Sequence, residues 1–241
     1  MTAGAVPRPA VLIPAYNAAR HLGSVLEGVL AHVPRQDVWV VDDGSGDETA
    51  NVAERREVHV VRQTPNQGKG AALRAGFAAA LDRDPVITLD ADGQHDPADL
   101  PRFLAVADTA DLVVGARPFS DRMPPLRKIG NRISARIIGA LAGQAIPDSQ
   151  SGYRLHRRAL IESVVPAIEG TGGFLFETEL LVRAARQGYR IGALPIATVY
   201  GDAGSHFHPA SEIPRFLQLF VRLAWLVASG RAGRRPPPPS S

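Results

Sequence analysis

Residues 86–94 read Val-Ile-Thr-Leu-Asp-Ala-Asp-Gly-Gln, an apolar run followed at once by two carboxylates. Short apolar runs that end in turn residues are typical of buried strands in a parallel sheet. Asp90 and Asp92 leave such a strand at a spacing that lets both carboxylates converge on one cation, with Gln94 as a further oxygen ligand. Oxygen ligands of this kind suit Mg²⁺ or Mn²⁺ better than zinc. The stretch therefore predicts a strand with a divalent-cation site at its carboxyl end.

A second predicted strand, at residues 37–41, also runs into paired carboxylates, Asp42 and Asp43. Ligands of open α/β sheets bind beyond the carboxyl ends of the strands, so both acidic pairs lie where a ligand would sit. An Asp-Gly pair can also make a turn or cap a helix without any ligand. That alternative is the better explanation of Asp43 with Gly44 taken alone, whereas the neighbouring Asp-x-Asp favours a ligand site.

Apolar runs alternate with segments of helical period through residues 9–117, the pattern of βα units around a parallel sheet. The predicted strands are 10–14, 37–41, 58–62, 86–89 and 111–114, with a later strand at 190–195. The predicted helices are 19–31, 48–55, 70–82, 98–107, 126–141, 176–187 and 213–228. We therefore expect one α/β domain over residues 1–230, with a Rossmann-like, mostly parallel sheet, and a disordered Arg/Pro-rich tail at 231–241.

Composition narrows the possible classes of protein. The net charge of the 241 residues is +3, which the arginines of the tail supply, and so small a surplus gives no support to nucleic-acid binding. The lack of cysteine excludes disulfides and Cys-ligated zinc and is compatible with a reducing cytoplasm. The chain does not begin with a basic and apolar signal segment, and its longest apolar stretch, 216–228, is shorter than the roughly 20 residues of a membrane span. We expect a soluble cytoplasmic protein without a transmembrane helix.

Four motifs then follow one another in a recognisable order. They are Ile13-Pro14-Ala15-Tyr16-Asn17, Val41-Asp42-Asp43-Gly44-Ser45, Asn66-Gln67-Gly68-Lys69-Gly70 and Asp90-Ala91-Asp92. Together they resemble the family 2 glycosyltransferases. Two later motifs, Gly115-Ala116-Arg117 and Asp148-Ser149-Gln150-Ser151-Gly152-Tyr153-Arg154, resemble the branch that includes dolichol- and polyprenyl-phosphate mannose or glucose synthases. The resemblance spans residues 9 to about 200.

That resemblance implies a GT-A fold and an inverting, metal-dependent transfer of a hexosyl unit. The donor would be a nucleotide diphosphate sugar of the GDP-mannose or UDP-glucose type, bound by residues 9–117, and the acceptor a polyprenyl or dolichyl phosphate, bound by residues 118–230. The implied donor contacts are Pro14, Tyr16, Asn17, Asp42, Asp43, Lys69, Asp90 and Ala91, and the implied metal ligands are Asp90, Asp92 and Gln94. One departure is visible, because Ala18 and Ala19 follow Asn17 where relatives commonly have Glu. That change puts one ribose contact in doubt.

The glycine-containing motif at residues 66–70 opens a predicted helix. Glycines there let the backbone approach a ligand closely, and the N-terminus of a helix favours anions. The motif lacks the Gly-Lys-Ser/Thr ending of an ATP-binding loop, so an ATPase is disfavoured. A helix-entry loop without a ligand is the alternative for Gly68 and Gly70.

Basic residues are concentrated between Arg117 and Arg136. This stretch contains six basic residues and one acidic residue. Lys128, Arg132 and Arg136 share one side of a predicted helix whose other side is apolar. Such a helix suits either an anionic lipid headgroup at a membrane surface or plain solvation of its arginines. The apolar helix at 213–228 likewise suits either lipid contact or, slightly better, burial. Peripheral contact with the cytoplasmic face of a membrane therefore stays open.

The expected chemistry depends on the acceptor. A lipid phosphate is already anionic, so its attack needs positioning and charge neutralisation rather than a base. Arg117, directly after a strand, is the best candidate to hold that phosphate, and the other predicted acceptor contacts are Arg132, Ser151, Arg154 and His206. A sugar hydroxyl would instead need a base, for which Asp148 comes first and His206 second. The predicted catalytic residues are thus Asp92, Arg117 and Asp148.

Two other functions stay open on these residues. One is a glycosyltransferase that acts on a hydroxyl group of a saccharide or protein. The other is a nucleotide-sugar-binding protein without catalysis, although the intact Asp90-Ala91-Asp92 motif argues against it.

Overall fold

The computed structural model describes residues 8–117, 125–146, 148–169, 173–197 and 209–233. Within them a seven-stranded sheet lies between two layers of helices. The strands are β1 (Ala10–Ala15), β2 (Val38–Asp43), β3 (His59–Gln63), β4 (Val86–Thr88), β5 (Leu112–Ala116), β6 (Arg154–His156) and β7 (Ile191–Pro195). The helices are α1 (Ala19–Leu30), α2 (Thr49–Glu54), α3 (Lys69–Ala79), α4 (Leu100–Ala105), α5 (Pro125–Ala142), α6 (Arg158–Val164), α7 (Gly173–Arg186) and α8 (Pro209–Ala228).

The strand order is β3-β2-β1-β4-β6-β5-β7, and every neighbouring pair is parallel except the two that include β6. The mostly parallel α/β sheet predicted from the sequence is therefore confirmed. Because β1, β2 and β4 are parallel neighbours, their carboxyl ends meet at one edge of the sheet. That edge carries the acidic pairs found in the sequence.

Alternate side chains of the strands enter two separate cores. On β1, Leu12 packs on the side of α3, α5, α6, α7 and α8, while Val11 and Ile13 pack on the side of α1, α2 and α4. All three side chains are fully buried. Each such aliphatic side chain contributes about 1.5–3 kcal/mol on burial, so the sheet is held firmly from both faces.

The sequence missed β6 and α6. β6 has three residues, of which Arg154 and His156 are polar, so it carries neither a long apolar run nor clear alternation. It lies antiparallel between β4 and β5, with Arg154 opposite both Thr88 and Val114. A reversed strand begins at the edge where its neighbours end. The loop before β6, residues 148–152, is therefore brought to the same edge as the acidic pairs.

The last helix has one buried and one exposed face. Leu219, Leu223 and Leu226 are buried, whereas Leu217 and Val221 are exposed. Burial therefore explains one face of this helix, and lipid contact stays an alternative for the exposed face. In the part of the chain that the structure describes, every helix is too short or too polar to cross a bilayer.

The start of the predicted disordered tail is ordered. Ala232 is 1% exposed, and its N–H donates to the carbonyl of Leu226. The carbonyl of Arg231 accepts a hydrogen bond from the guanidinium of Arg183 at 3.0 Å. The prediction was wrong for residues 231–233 because these backbone contacts hold them against α7 and α8, and residues 234–241 lie outside the described part of the chain.

Candidate functional site

A cavity of about 570 Å³ opens at the carboxyl ends of β1, β2 and β4. Its volume falls within the range of pockets that hold small molecules and cofactors. We call it the strand-end cavity; its lining residues are Pro14, Ala15, Tyr16, Asn17, Ala18, His21, Asp43, Asn66, Gly68, Lys69, Ala72, Asp90, Ala91 and Asp92. The structure thus brings together Pro14, Tyr16, Asn17, Asp43, Lys69, Asp90, Ala91 and Asp92 from the residues that the sequence nominated.

Hydrogen bonds fix the loops around this cavity. Asn17 adopts a φ of 49° and accepts a hydrogen bond from the N–H of Gly46 at 2.9 Å. The carboxylate of Asp43 accepts the N–H groups of Gln67 at 2.8 Å and Gly68 at 2.7 Å. Gly68 has a φ of 92°, which favours glycine, and α3 begins at the next residue. Asp43 therefore holds the loop that places the positive end of α3 at the cavity.

Asp42 has a different role from the one predicted. It is 5% exposed, it accepts the N–H of Ser45 at 3.1 Å, and it is not among the described residues that line the cavity. In this structure Asp42 closes the turn after β2, and its neighbour Asp43 lines the cavity instead.

Lys69 lies between two carboxylates. Its Nζ is 2.6 Å from Asp90 Oδ1 and 3.1 Å from Glu177 Oε2, on α7. Burial alone would lower the pKa of Lys69, but the charges of Asp90 and Glu177 outweigh burial and raise it. Burial would likewise raise the pKa of Asp90, yet the Lys69 charge keeps it below its ordinary value. Lys69 and Asp90 are therefore both charged near neutral pH.

The predicted metal ligands are not equivalent. Asp92 is exposed at the cavity, and one of its oxygens accepts the N–H of Gln94 at 2.9 Å. Asp90 is already paired with Lys69, and Gln94 is not among the cavity-lining residues described. Within the described ranges, no group of three or more His, Cys, Asp or Glu side chains is arranged to hold a metal ion. The carboxylates suit a hard cation, but other ligands would have to come from water or a bound molecule.

Arg117 and Asp148 bind each other. The Nε of Arg117 donates to Asp148 Oδ2 at 2.8 Å and its Nη2 donates to Oδ1 at 3.2 Å. Both side chains are mostly buried, with 14% and 12% exposed. Arg117 follows β5 and Asp148 opens the loop before β6, so this ion pair joins two chain segments at the edge of the sheet.

Arg154 is part of the framework rather than a contact for a ligand. It is 1% exposed, and its guanidinium donates to the carbonyls of Ser149 at 2.8 Å, Ser151 at 2.7 Å and Glu177 at 2.8 Å. Burial lowers its pKa, although the charges of Glu177 and Asp148 oppose that effect. The predicted phosphate contact of Arg154 was wrong because three backbone carbonyls occupy its donors.

Three other predicted acceptor contacts have separate outcomes. Ser151 is fully buried, with its hydroxyl facing the N–H of Tyr153 at 3.4 Å, so it does not present itself to a ligand here. Arg132 is exposed on α5. His206 lies outside the described residues.

The family model for glycosyl transferase family 2 matches residues 10–165, which include every strand of the strand-end cavity. The chain belongs to glycosyl transferase family 2. Its sequence is 35% identical over 213 residues to an undecaprenyl-phosphate mannosyltransferase of Micrococcus luteus, covering 82% of this chain and 86% of that protein. It is 32% identical over 210 residues to a polyprenol monophosphomannose synthase of Mycolicibacterium smegmatis, covering 82% and 79%.

The fold of this glycosyltransferase agrees with solved structures. A glucosyl-3-phosphoglycerate synthase from Mycobacterium tuberculosis, solved with Mn²⁺, uridine diphosphate and glucosyl-3-phosphoglycerate, superposes with a TM-score of 0.69. The match covers 92% of this chain and 80% of that chain at 19% identity, which shows a shared fold. The GT-A fold predicted from the motifs is confirmed.

Three residues around Lys69 and Asp90 were missed by the sequence analysis. Glu177 contacts Lys69 across 108 residues of sequence. The buried His95 places Nε2 3.9 Å from Asp90 Oδ2, and burial lowers its pKa. A Cβ on Gly152 would lie 2.6 Å from Asp90 Cγ, so only glycine fits there. Glu177 and Gly152 lie far in sequence from Lys69 and Asp90, so no spacing signal links them and only the folded sheet brings them together.

Proposed function

We propose that this glycosyltransferase moves a hexosyl unit, with inversion, from a nucleotide diphosphate sugar to a polyprenyl phosphate. The observation that carries the proposal is the strand-end cavity, where Asp43, Asp90, Asp92 and Lys69 meet the N-terminus of α3. The polyprenyl-phosphate specificity is supported by the names of the two relatives, each similar over about four fifths of the chain.

A divalent cation fits this cavity on grounds of charge. Three carboxylates line it against one ammonium group, so a diphosphate entering alone would be repelled. We propose that Asp92, with Asp90 and Gln94 nearby, holds Mg²⁺ or Mn²⁺. Such an ion, when bound, neutralises charge on the departing diphosphate. The N-terminus of α3 and Lys69 would add positive charge to the same place.

The acceptor needs to be held rather than deprotonated. A phosphate monoester carries its nucleophilic oxygen as an anion near neutral pH, so orientation and charge neutralisation suffice. We propose that Arg117 binds this phosphate and that Asp148 positions its guanidinium through the bidentate pair at 2.8 Å and 3.2 Å. In this arrangement Asp148 acts through Arg117, not as a base.

We further propose that α5 and α8 rest on an anionic membrane surface. The two helices are in contact, and each leaves large apolar side chains exposed. These side chains are Ile133 and Ile137 on α5 and Leu217, Val221 and Trp225 on α8. Exposed Arg132 and Arg136 lie on the same helix as the two isoleucines, and α5 contains no acidic residue. Apolar and basic side chains together favour the interface of an anionic bilayer.

The test is transfer of a labelled sugar to polyprenyl phosphate. Purified protein receives GDP-mannose, UDP-glucose or UDP-GlcNAc with Mg²⁺ or Mn²⁺, and lipid extracts are assayed for glycolipid. We expect one donor to give metal-dependent product, and Asp92→Asn to lower the rate by about 100-fold or more because the carboxylate charge proposed to hold the cation at the leaving group is lost.

Asp108→Asn is the matched control, since Asp108 is 98% exposed and pairs with Arg157 at 2.9 Å, away from the cavity. It should leave the rate unchanged. Sugar transferred to a soluble saccharide instead of lipid would disprove the acceptor while keeping the transferase. Donor binding without any turnover would favour a protein that binds nucleotide sugars without catalysis.

A further inference from the structure

The cluster of Lys69, Asp90 and Glu177 joins three separate elements beside the strand-end cavity. Lys69 is the first residue of α3, Asp90 follows β4, and Glu177 lies in the first turns of α7. Lys69 and Asp90 line the cavity, whereas Glu177 stands behind them and is 12% exposed. Glu177 therefore approaches the site only through the ammonium group of Lys69.

The ammonium group of Lys69 contacts both carboxylates at once. An ammonium group has three N–H donors. Asp90 accepts at 2.6 Å and Glu177 at 3.1 Å, which directs the ammonium group from two sides. With Asp90 as the sole partner, the long side chain of Lys69 would keep several rotamers, and each would place the charge differently in the cavity.

Glu177 is itself held firmly. Its backbone carbonyl accepts the Nη1 of the buried Arg154 at 2.8 Å. Arg154 also binds the carbonyls of Ser149 and Ser151, so the same guanidinium fixes α7 and the loop before β6. The hydrogen bond from Arg154 thus fixes the backbone of Glu177, and the Glu177 carboxylate in turn restrains the ammonium group of Lys69.

We propose that Glu177 is a positioning residue that clamps Lys69 against Asp90 and so fixes where the ammonium charge meets the donor diphosphate. The inference rests on the proposed donor site, and it adds a residue from α7, in the second half of the chain, to that site. Glu177 touches neither the cavity surface nor the reacting atoms, so its effect passes through Lys69.

Kinetics separate this role from simple binding. Glu177→Gln keeps the size of the side chain but removes its charge. We expect kcat to fall about tenfold, as for the loss of one charge-assisted contact in the transition state. The KM for the donor should change by less than about twofold, because the variant also removes a negative charge that opposes the diphosphate.

A double-mutant cycle tests whether the effect passes through Lys69. In a Lys69→Met background, Glu177→Gln should change kcat by less than about twofold, because the residue it acts on is gone. Glu162→Gln is the control, since Glu162 pairs with Arg158 at 3.8 Å on the surface of α6. It should behave as wild type, and all variants should share the wild-type Tm to within a few degrees.

Chemical labelling gives a readout that needs no acceptor. Lys69 and Lys128 are the only lysines in the chain, so their acetylation rates can be compared within one sample by mass spectrometry. Glu177→Gln should raise the rate at Lys69 severalfold relative to Lys128, because one of its two counter-charges is lost. Uridine or guanosine diphosphate with Mn²⁺ should slow labelling of Lys69 in the wild-type protein.

The outcomes are distinct. The role of Glu177 would be overturned if Lys69→Met and Glu177→Gln reduced kcat by independent factors that multiply in the double variant. It would also be overturned if Lys69 were acetylated at the same rate in Glu177→Gln as in the Glu162→Gln control. Absence of glycolipid from wild-type protein would overturn the proposed acceptor but leave the labelling comparison valid. Failure of both nucleotides to protect Lys69 would count against the donor site itself and hence against the clamp.

Discussion

The strand-end cavity and the loop at residues 148–152 lie at the same edge of the sheet but use their charges differently. In the cavity, Asp92 and Tyr16 are exposed, and Lys69 is one third exposed. In the loop region, Arg117 and Asp148 bind each other, and Arg154 binds backbone carbonyls. The cavity leaves polar groups open at its surface, whereas the loop region uses most of its polar groups to hold its own structure.

The difference comes from how each region is built. The cavity forms at the ends of parallel strands, whose backbone groups are satisfied by the ladder and by short turns. The loop before β6 has no such ladder, so its carbonyls need donors from side chains, and Arg154 donates to two of them, those of Ser149 and Ser151. A charged residue near a site should therefore be assigned to a ligand only after its hydrogen bonds to the surrounding backbone have been examined.

Replacement of Arg154 gives the sharpest test of this contrast. Arg154→Met should lower the free energy of unfolding by about 3–5 kcal/mol, because buried carbonyls lose their donors and nearby acids lose a counter-charge. Urea denaturation measures the loss. Arg158→Met, at a half-exposed arginine on α6, should cost less than about 0.5 kcal/mol. Equal stabilities with a selective rise in acceptor KM would instead return Arg154 to the acceptor site.

Gly152 tests the one place where the two regions meet. A side chain there would push the carboxylate of Asp90 away, since its Cβ would lie 2.6 Å from Asp90 Cγ. We expect Gly152→Ala to cost about 2–3 kcal/mol of stability through overpacking and to reduce transfer through loss of the Lys69 pair. Gly130→Ala, with no atom within 4 Å of its new Cβ, is the matched control. A fully active Gly152→Ala protein would show that Asp90 has room to move.

The sequence predicted the cavity better than the loop for the same physical reason. Local signals mark a parallel strand and the acids that follow it, so residues 86–94 and 37–43 pointed directly at the site. β6 was missed because three residues carry no period. The burial of Arg154 and the contact of Glu177 with Lys69 depend on partners far away in sequence, and no local pattern encodes them.

Acid should lower the free energy of unfolding through His156, the last residue of β6. Burial, with a smaller effect from Arg154, lowers the pKa of His156 from 6.5 to about 3. The unfolded chain therefore takes up a proton below pH 6.5 that the folded chain refuses, so stability falls as pH falls. Between pH 7.5 and pH 5 we expect this residue to account for about 2 kcal/mol.

Urea titrations at the two pH values measure the effect. In His156→Gln the pH-dependent loss should shrink by about that amount. His32→Gln, at an exposed histidine, should retain the wild-type pH dependence. If His156→Gln loses as much stability between pH 7.5 and pH 5 as the wild-type protein does, groups other than His156 cause the acid sensitivity.

The smallest expected change in stability is at the exposed face of α8. Trp225 is 52% exposed, so Trp225→Ser should alter the free energy of unfolding by less than about 0.5 kcal/mol. It should nevertheless weaken binding to vesicles that contain anionic lipid, measured by sedimentation. Leu81→Ser, at a 40% exposed leucine after α3, is the control that should bind as wild type. Unchanged vesicle binding by Trp225→Ser would remove α8 from the proposed membrane contact.

The reversed direction of β6 also matters for engineering. Its leading loop lies at the site, but the connection after it returns to the opposite edge, where Arg157 pairs with Asp84 at 3.0 Å and Asp108 at 2.9 Å. Libraries aimed at new acceptors should therefore vary Gln150, the half-buried residue of that loop between the two buried serines, and keep the ion pairs of Arg157 intact. The opposite edge, near the exposed Asp108, is the natural point for tethering the enzyme to a solid support.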